Sequence, residues 1–212
     1  MITLHHLNNS RSQRVLWMLE ELGCEYRIAF HQRDAVTNLA PPELERVHPL
    51  GKSPVIEVDG RVIAESGAIL EYLAATRADG RLAVAPSHAA WADYLQWLHY
   101  AEGSAMLPLM LQLYVGRLGD AGAPLQPRID SELNRHLGFM DASLAGRDFL
   151  VDGRLTAADI NNSFVLEAAR ARGRLATLPN LARVLAAWQA RPAYLRALEK
   201  GGAYTFGPAA NP

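Results

Sequence analysis

Twelve residues, PVIEVDGRVIAE (54–65), constrain the fold more than any other stretch of this chain. Two apolar runs flank Asp59-Gly60. That dipeptide is the strongest short-range hairpin signal, because both positions of a type I′ turn need positive φ. A hairpin is an antiparallel pair, but the residues before it ask for something else. ITLHHL is short and strand-compatible; Val15, Leu16, Met18, Leu19 and Leu22 then recur at helical spacing, and Gly23 follows as a helix stop. EYRIAFH reads as a second strand with alternating Tyr26, Ile28 and Phe30, and PPELERVH as a short polar helix or turn. SGAILEYLAAT is helical, with Ile69, Leu70 and Leu73 on one face. The order is β-α-β-α-β-β-α. The first half needs a parallel pairing through a crossover and the second half an antiparallel one. A small mixed sheet with helices packed on it meets both demands.

The pattern changes at RADGRLAVAPS (77–87), where charge, Gly and Pro interrupt the apolar periodicity. Beyond it no strand pattern of any length recurs. Helical spacing runs over about residues 87–117 and 125–144, then near 156–172 and 180–190, with a last short helix from about Pro192. The predicted architecture is an α/β domain over 1–77, a linker over 78–86, and an all-α bundle over 87–212. The tail GGAYTFGPAANP is expected to be coil, packed through Tyr204 and Phe206.

A chain of 212 residues can bury a real core as one or two domains. Its formal net charge of -1 gives no global attraction to nucleic acid or anionic membrane. One cysteine, Cys24, excludes an internal disulfide framework and any CxxC redox or zinc pattern. MITLHHLNN lacks the pattern of a signal peptide, and no run of about 18 apolar residues suggests a membrane span. The expectation is a soluble cytoplasmic protein with neither nucleic-acid nor membrane partner.

Some segments look chemical. Gly51-Lys52-Ser53 resembles the end of a phosphate-binding loop, but the earlier glycine of that motif falls on Arg46 and Pro54 follows, so nucleotide binding is rejected. The seven histidines show no HExxH spacing and no completing carboxylate, so no metal site is expected and they read as surface and boundary residues. No GxSxG supports a serine hydrolase. LTAADI fits a capping box, Thr156 with Asp159, that starts a helix. AESGAIL is more open. Ser66 is a good N-cap, yet the free N–H groups of a helix start also bind carboxylates, and Glu65 beside them can hold an ammonium. A ligand with an amino-acid head group would fit. LNNSRSQR raises the same question. Ser10 can cap the helix beginning near Arg11, or its hydroxyl can face a reacting group.

NNSRSQRVLWMLEELG after a first strand, then HPLGKSPVIEVDG, ESGAILEYL, YAEGS and LTAADI, in this order across essentially the whole chain, resemble the cytosolic glutathione transferase family, most nearly its bacterial and fungal members. The resemblance implies a thioredoxin-like N-terminal domain that binds glutathione, an all-α C-terminal domain, and a homodimer. Carried over, Pro54 matches the cis-proline, and the backbone of Val55 would pair with the cysteinyl part of glutathione. Glu65 and Ser66 match the pair that takes the γ-glutamyl ammonium and carboxylate, and Lys52, with Ser53 beside it, the position that reaches the glycine carboxylate. Ser10 matches the catalytic serine, with Asn9 and Arg11 as rivals for the sulfur. Glu102 matches a position near the dimer cleft, and Met106, Met110 and Tyr114 are candidates for a hydrophobic pocket, although most of the stripe that also holds Leu107 and Leu111 is expected to be core.

The implied function is conjugation of glutathione, as co-substrate, to small hydrophobic electrophiles in detoxification, with no tightly bound cofactor or metal. Glutathione-dependent peroxide or disulfide reduction, and a non-catalytic binding protein of the same fold, are the alternatives. Glutathione carries two carboxylates, an ammonium and a thiol, and Lys52, Glu65 and the helix start at Ser66 offer complementary charge.

Overall fold

The computed structural model describes residues 1–208; the last four residues of the expected terminal coil lie outside the described residues. Contacts divide the chain into two compact units, Met1–Val84 with the chain from Trp188 onward, and Ala85–Ala187. The sequence pattern alone assigns the C-terminal helix to the helical domain, whereas contacts group it with the first unit.

The first unit contains β1 (Ile2–Leu7), α1 (Ser12–Leu22), β2 (Tyr26–His31), α2 (Glu43–Val47), β3 (Val55–Val58), β4 (Arg61–Ala64) and α3 (Ser66–Thr76). The sheet order is β2-β1-β3-β4, with β1 parallel to β2 and the other pairs antiparallel. Asp59 and Gly60 adopt φ of 51° and 73°, so the turn joins β3 to β4 as expected. Leu4, Ile56, Ile69, Leu70 and the apolar residues of α1 form the core, all at zero exposure or close to it. Phe30 departs from expectation. The expected alternation of β2 breaks at its end, because the strand is an edge and Phe30 is 62 % exposed while Ala29 is half-buried.

The chain returns to this unit at its end. Helix α9 (Pro192–Gly201) packs along α1, where Trp17 meets the Tyr194 ring edge-on at 5.4 Å. Adjacent acids on α1 are held from the same side. Glu20 accepts from Arg196 Nε at 2.8 Å, from Lys200 and from the Tyr26 hydroxyl, while Glu21 accepts bidentately from Arg191 at 2.6 and 3.0 Å. Burial pushes the Glu20 carboxyl up, but the Lys200, Tyr26 and Arg196 bonds outweigh it and hold the group below its ordinary range.

The second unit is helical: α4 (Trp91–Tyr100), α5 (Met106–Gly116), α6 (Gln126–Ser143), α7 (Ala157–Ala171) and most of α8 (Pro179–Gln189). A π-helical turn, Ala101–Ala105, joins α4 to α5 just ahead of Pro108, which has no N–H to give to the turn before it. A change of register leaves carbonyls short of donors. Two buried asparagines of α7 supply them, Asn162 to Trp97 O at 2.8 Å and Asn161 to Leu98 O at 2.7 Å. The capping box at the start of α7 forms as expected, and Asp159 also accepts the Leu150 N–H at 2.7 Å.

The outer stripe of α5 differs from expectation. Met106 is buried, but Leu107, Leu111 and Tyr114 are exposed, and Leu109 and Val115 face the core instead. The helix is apolar nearly all round, so periodicity alone cannot choose the buried face.

Asp159 is fully buried, and burial raises its carboxyl to about 6 against the opposing pull of its donors. Asp159→Ala strands the N–H groups of Leu150 and Thr156 and should cost about 3 kcal/mol in chemical denaturation, with Asp159→Asn costing less.

Candidate functional site

The register of the sheet decides which loops meet. His5, near the C-terminal end of β1, pairs with Val55, the first residue of β3, and Val55 pairs with Ala64, the last residue of β4. The junctions β1–α1, α2–β3 and β4–α3 therefore lie at one end of the sheet. Asn9, Ser10 and Arg11 occupy the first, Lys52, Ser53 and Pro54 the second, and Glu65 and Ser66 the third. Two helices, α1 and α3, also begin here, and the leading N–H groups of a helix have no partner within it.

At the third junction, Ser66 is the first helical residue rather than the cap, and it is buried. Glu65 takes the cap position and is exposed, with φ 71° and ψ 120°. A non-glycine residue at positive φ is uncommon, and such conformations concentrate at ligand-binding sites. At the second junction the Ser53-Pro54 bond is cis and the Ser53 hydroxyl donates to His5 O at 2.8 Å. Lys52 is exposed.

At the first junction, α1 starts at Ser12, one residue later than expected. Ser10 nevertheless accepts the Ser12 N–H at 3.2 Å, so its hydroxyl does hold the helix start. It is 4 % exposed. Ser10 Oγ lies 2.8 Å from Ser12 Oγ, which lies 3.0 Å from His6 Nδ1. Asn9 has φ 50°, and its Oδ1 accepts from the backbone and hydroxyl of Thr205 at 2.8 and 3.1 Å. Arg33 straps the same loop, donating from Nε to Asn8 O at 3.1 Å and from its backbone to Asn8 Oδ1 at 2.8 Å. Burial, reinforced by the charge of Arg11, lowers its pKa. Beside this loop a cleft of about 350 Å³ is lined by His6, Asn8, Asn9, Phe30 and the chain at 201–203.

The other expected site residues lie in the second unit. Glu102 sits half-buried in the π-helical turn, Met106 is buried, Met110 is half-buried and Tyr114 is 56 % exposed.

His5 and His6 correct the reading of the histidines as surface residues. They are buried on β1 and point to opposite faces, as successive strand residues do. His5 bridges His31 at 3.1 Å and Glu57 at 2.8 Å. Burial pulls the His6 pKa down to about 4, with the Gly201 backbone opposing it and His31 adding to it. Their neighbours come from distant segments, so no spacing in the sequence announces them. Among the described residues no cluster of His, Cys, Asp and Glu is arranged for a metal, and no helix is long and apolar enough to cross a membrane.

A four-stranded mixed sheet with these junctions, followed by a helical unit, defines a thioredoxin-like domain joined to an all-α domain. Residues 1–75 match the glutathione S-transferase N-terminal domain and residues 103–192 the C-terminal domain. Glutathione S-transferase 1 of Saccharomyces cerevisiae is 35% identical over 191 residues, 80% of this chain and 81% of that protein. A glutathione S-transferase structure from Actinobacillus pleuropneumoniae superposes with a TM-score of 0.88 at 33% identity, covering 99% of this chain and 97% of that one. A family member from Pseudomonas fluorescens, solved with two glutathione molecules bound, gives a TM-score of 0.77 at 32% identity over 93% of this chain and 92% of that one. The chain belongs to the glutathione S-transferase family.

The His6 ring binds fewer protons folded than unfolded between pH 6.5 and about 4, so its contribution to stability is present above that window and lost as pH falls through it. In NMR titration of the ligand-free protein, the His6 resonances should hold their neutral positions down to pH 5.

Proposed function

We propose that this protein conjugates reduced glutathione to small hydrophobic electrophiles through a thiolate held at the start of α1. The observation that carries the reading is the register just described, which gathers Ser10, Pro54, Glu65 and Ser66 at one end of the sheet. The charges fit the tripeptide group by group. The start of α3 suits the γ-glutamyl carboxylate, Glu65 suits the ammonium, and Lys52 suits the glycine carboxylate. Val55 lends its backbone to the cysteinyl residue, with Ser53 and Pro54 setting the path of the chain ahead of it. That pose directs the thiol to the β1–α1 junction, where Ser10 donates to the sulfur and the positive end of α1 favours the thiolate, the nucleophilic form. Arg11 adds positive charge, and Asn9 is the rival hydrogen-bond donor.

Met106, Met110 and Tyr114 of the helical unit are the proposed apolar lining for the electrophile, Glu102 the proposed contact to a partner's glutathione, and a homodimer in the cytoplasm the proposed working form. A thiolate in this setting also attacks peroxides and disulfides. The lone Cys24 lies past α1, and burial raises its thiol, which favours conjugation over a thiol-reductase route through this chain.

The protein should be retained on immobilised glutathione and released by free glutathione. Lys52→Ala and Ser66→Ala should each raise the glutathione KM about tenfold, equivalent to about 1.4 kcal/mol, while Ser10→Ala lowers kcat with little change in KM. Parallel assays with a halogenated aromatic and a mixed glutathione disulfide separate conjugation from reduction. Failure of the wild type to bind glutathione contradicts the proposal and leaves a non-catalytic member of the fold.

A further inference from the structure

The junction ahead of α1 carries a hydrogen-bonded chain that the reading above does not use. Ser10, Ser12 and His6 are all buried, so bulk water does not compete for the bonds between them. The far side of the imidazole is taken up by Gly201. A Cβ added at Gly201 would sit 3.4 Å from His6 Nε2 and 2.9 Å from the ends of the Gln13 and Leu16 side chains, so α9 ends close against the ring. The Gly201 backbone beside the ring favours its protonated form. We assign the hydrogen of the neutral ring to Nε2, the nitrogen beside Gly201, which leaves Nδ1 as the acceptor.

The remaining hydrogens follow. The Ser12 hydroxyl donates to His6 Nδ1 at 3.0 Å in preference to Leu7 O at 3.2 Å. Ser12 Oγ accepts the Leu7 N–H at 3.2 Å and the Ser10 hydroxyl at 2.8 Å. Ser10 Oγ accepts the Ser12 N–H and keeps acceptor capacity for a ligand. The chain of bonds is therefore polarised inward, from Ser10 towards His6.

We propose that Ser12 and His6 form a relay that draws the glutathione thiol proton through Ser10, an inference that rests on glutathione binding at this end of the sheet. The S–H hydrogen passes to Ser10 Oγ as the Ser10 hydrogen passes to Ser12 Oγ and the Ser12 hydrogen to His6 Nδ1. The S–H bond breaks with its electron pair left on sulfur. His6 becomes an imidazolium, with one N–H on Ser12 and the other beside Gly201, so one thiolate balances one cation. The same shift reverses the chain, and Ser10 now donates to the thiolate. After the sulfur has attacked, the leaving group or water takes the proton back along the chain. His6 is faced by Ser12 from α1, by the edge of Phe30 and the His31 ring from β2, and by Gly201 from α9. Burial and His31 favour its neutral form, and the thiolate charge opposes both once it forms.

The test is the pH midpoint for thiolate formation on bound glutathione, read from thiolate absorbance in the wild type, Ser10→Ala, Ser12→Ala, Ser12→Thr and His6→Phe. S-methylglutathione, which has no thiol proton, reports the intactness of the site. Ser12→Ala and His6→Phe should raise the midpoint by about one pH unit, tenfold in acidity, with S-methylglutathione affinity unchanged, and Ser12→Thr should restore it. If Ser10→Ala raises the midpoint and Ser12→Ala leaves it unchanged or lowers it, the relay is wrong and the glutathione reading stands. If the wild type fails to bind S-methylglutathione, the glutathione reading fails and the relay with it. Should His6→Phe not fold, the Ser12 pair decides the matter.

Discussion

The pairing of β3 with β1 on one side and β4 on the other is the constraint on which the rest depends. It makes the end of β1, the start of β3 and the end of β4 neighbours, and so brings three loops far apart in sequence to one place. Strand side chains alternate between faces, so a slip of one residue would send Leu4 and Ile56 out of the core and carry the junctions out of line. The hydrophobic core that fixes the register is also what aligns the polar groups at its end.

The C-terminal segment acts on the same place. Helix α9 is held to α1 by ion pairs on Glu20 and Glu21 and by the Trp17–Tyr194 contact. Exposed ion pairs contribute little, but these carboxylates are mostly shielded and each meets more than one donor. The end of that helix reaches His6 through Gly201, and the following turn reaches Asn9 through Thr205. The last described residues therefore help to set the loop that holds Ser10.

Much of this was legible in the residues. The Asp59-Gly60 turn, the helix stop at Gly23 and the capping box of Thr156 and Asp159 are local signals, each fixed by the chemistry of two or three adjacent residues, and each forms as expected. What sequence could not supply was the outcome of competition between distant groups. On α5, Leu107 and Leu111 are as apolar as Leu109, and the buried face is chosen by neighbouring helices. Phe30 fits a buried alternation but falls on an edge strand. His5 and His6 resemble surface histidines until the fold provides Glu57, His31 and Ser12 as partners. Ser66 has the composition of a cap, yet the positive φ of Glu65 moves the helix start by one residue. The residues gathered at this end of the sheet could be picked out by their local signals, but the hydrogen bonds from Ser10 through Ser12 to His6 could not, because they join a strand, a helix start and the far end of the sequence.

The central claim concerns what faces the sulfur. A crystal structure with reduced glutathione bound tests it most directly. The account predicts the tripeptide along the sheet end between Lys52 and Ser66, with Ser10 Oγ the nearest protein atom to the sulfur and within about 3.5 Å of it. Glutathione bound elsewhere, or a sulfur held by Asn9 or Arg11 with Ser10 turned away, would contradict it.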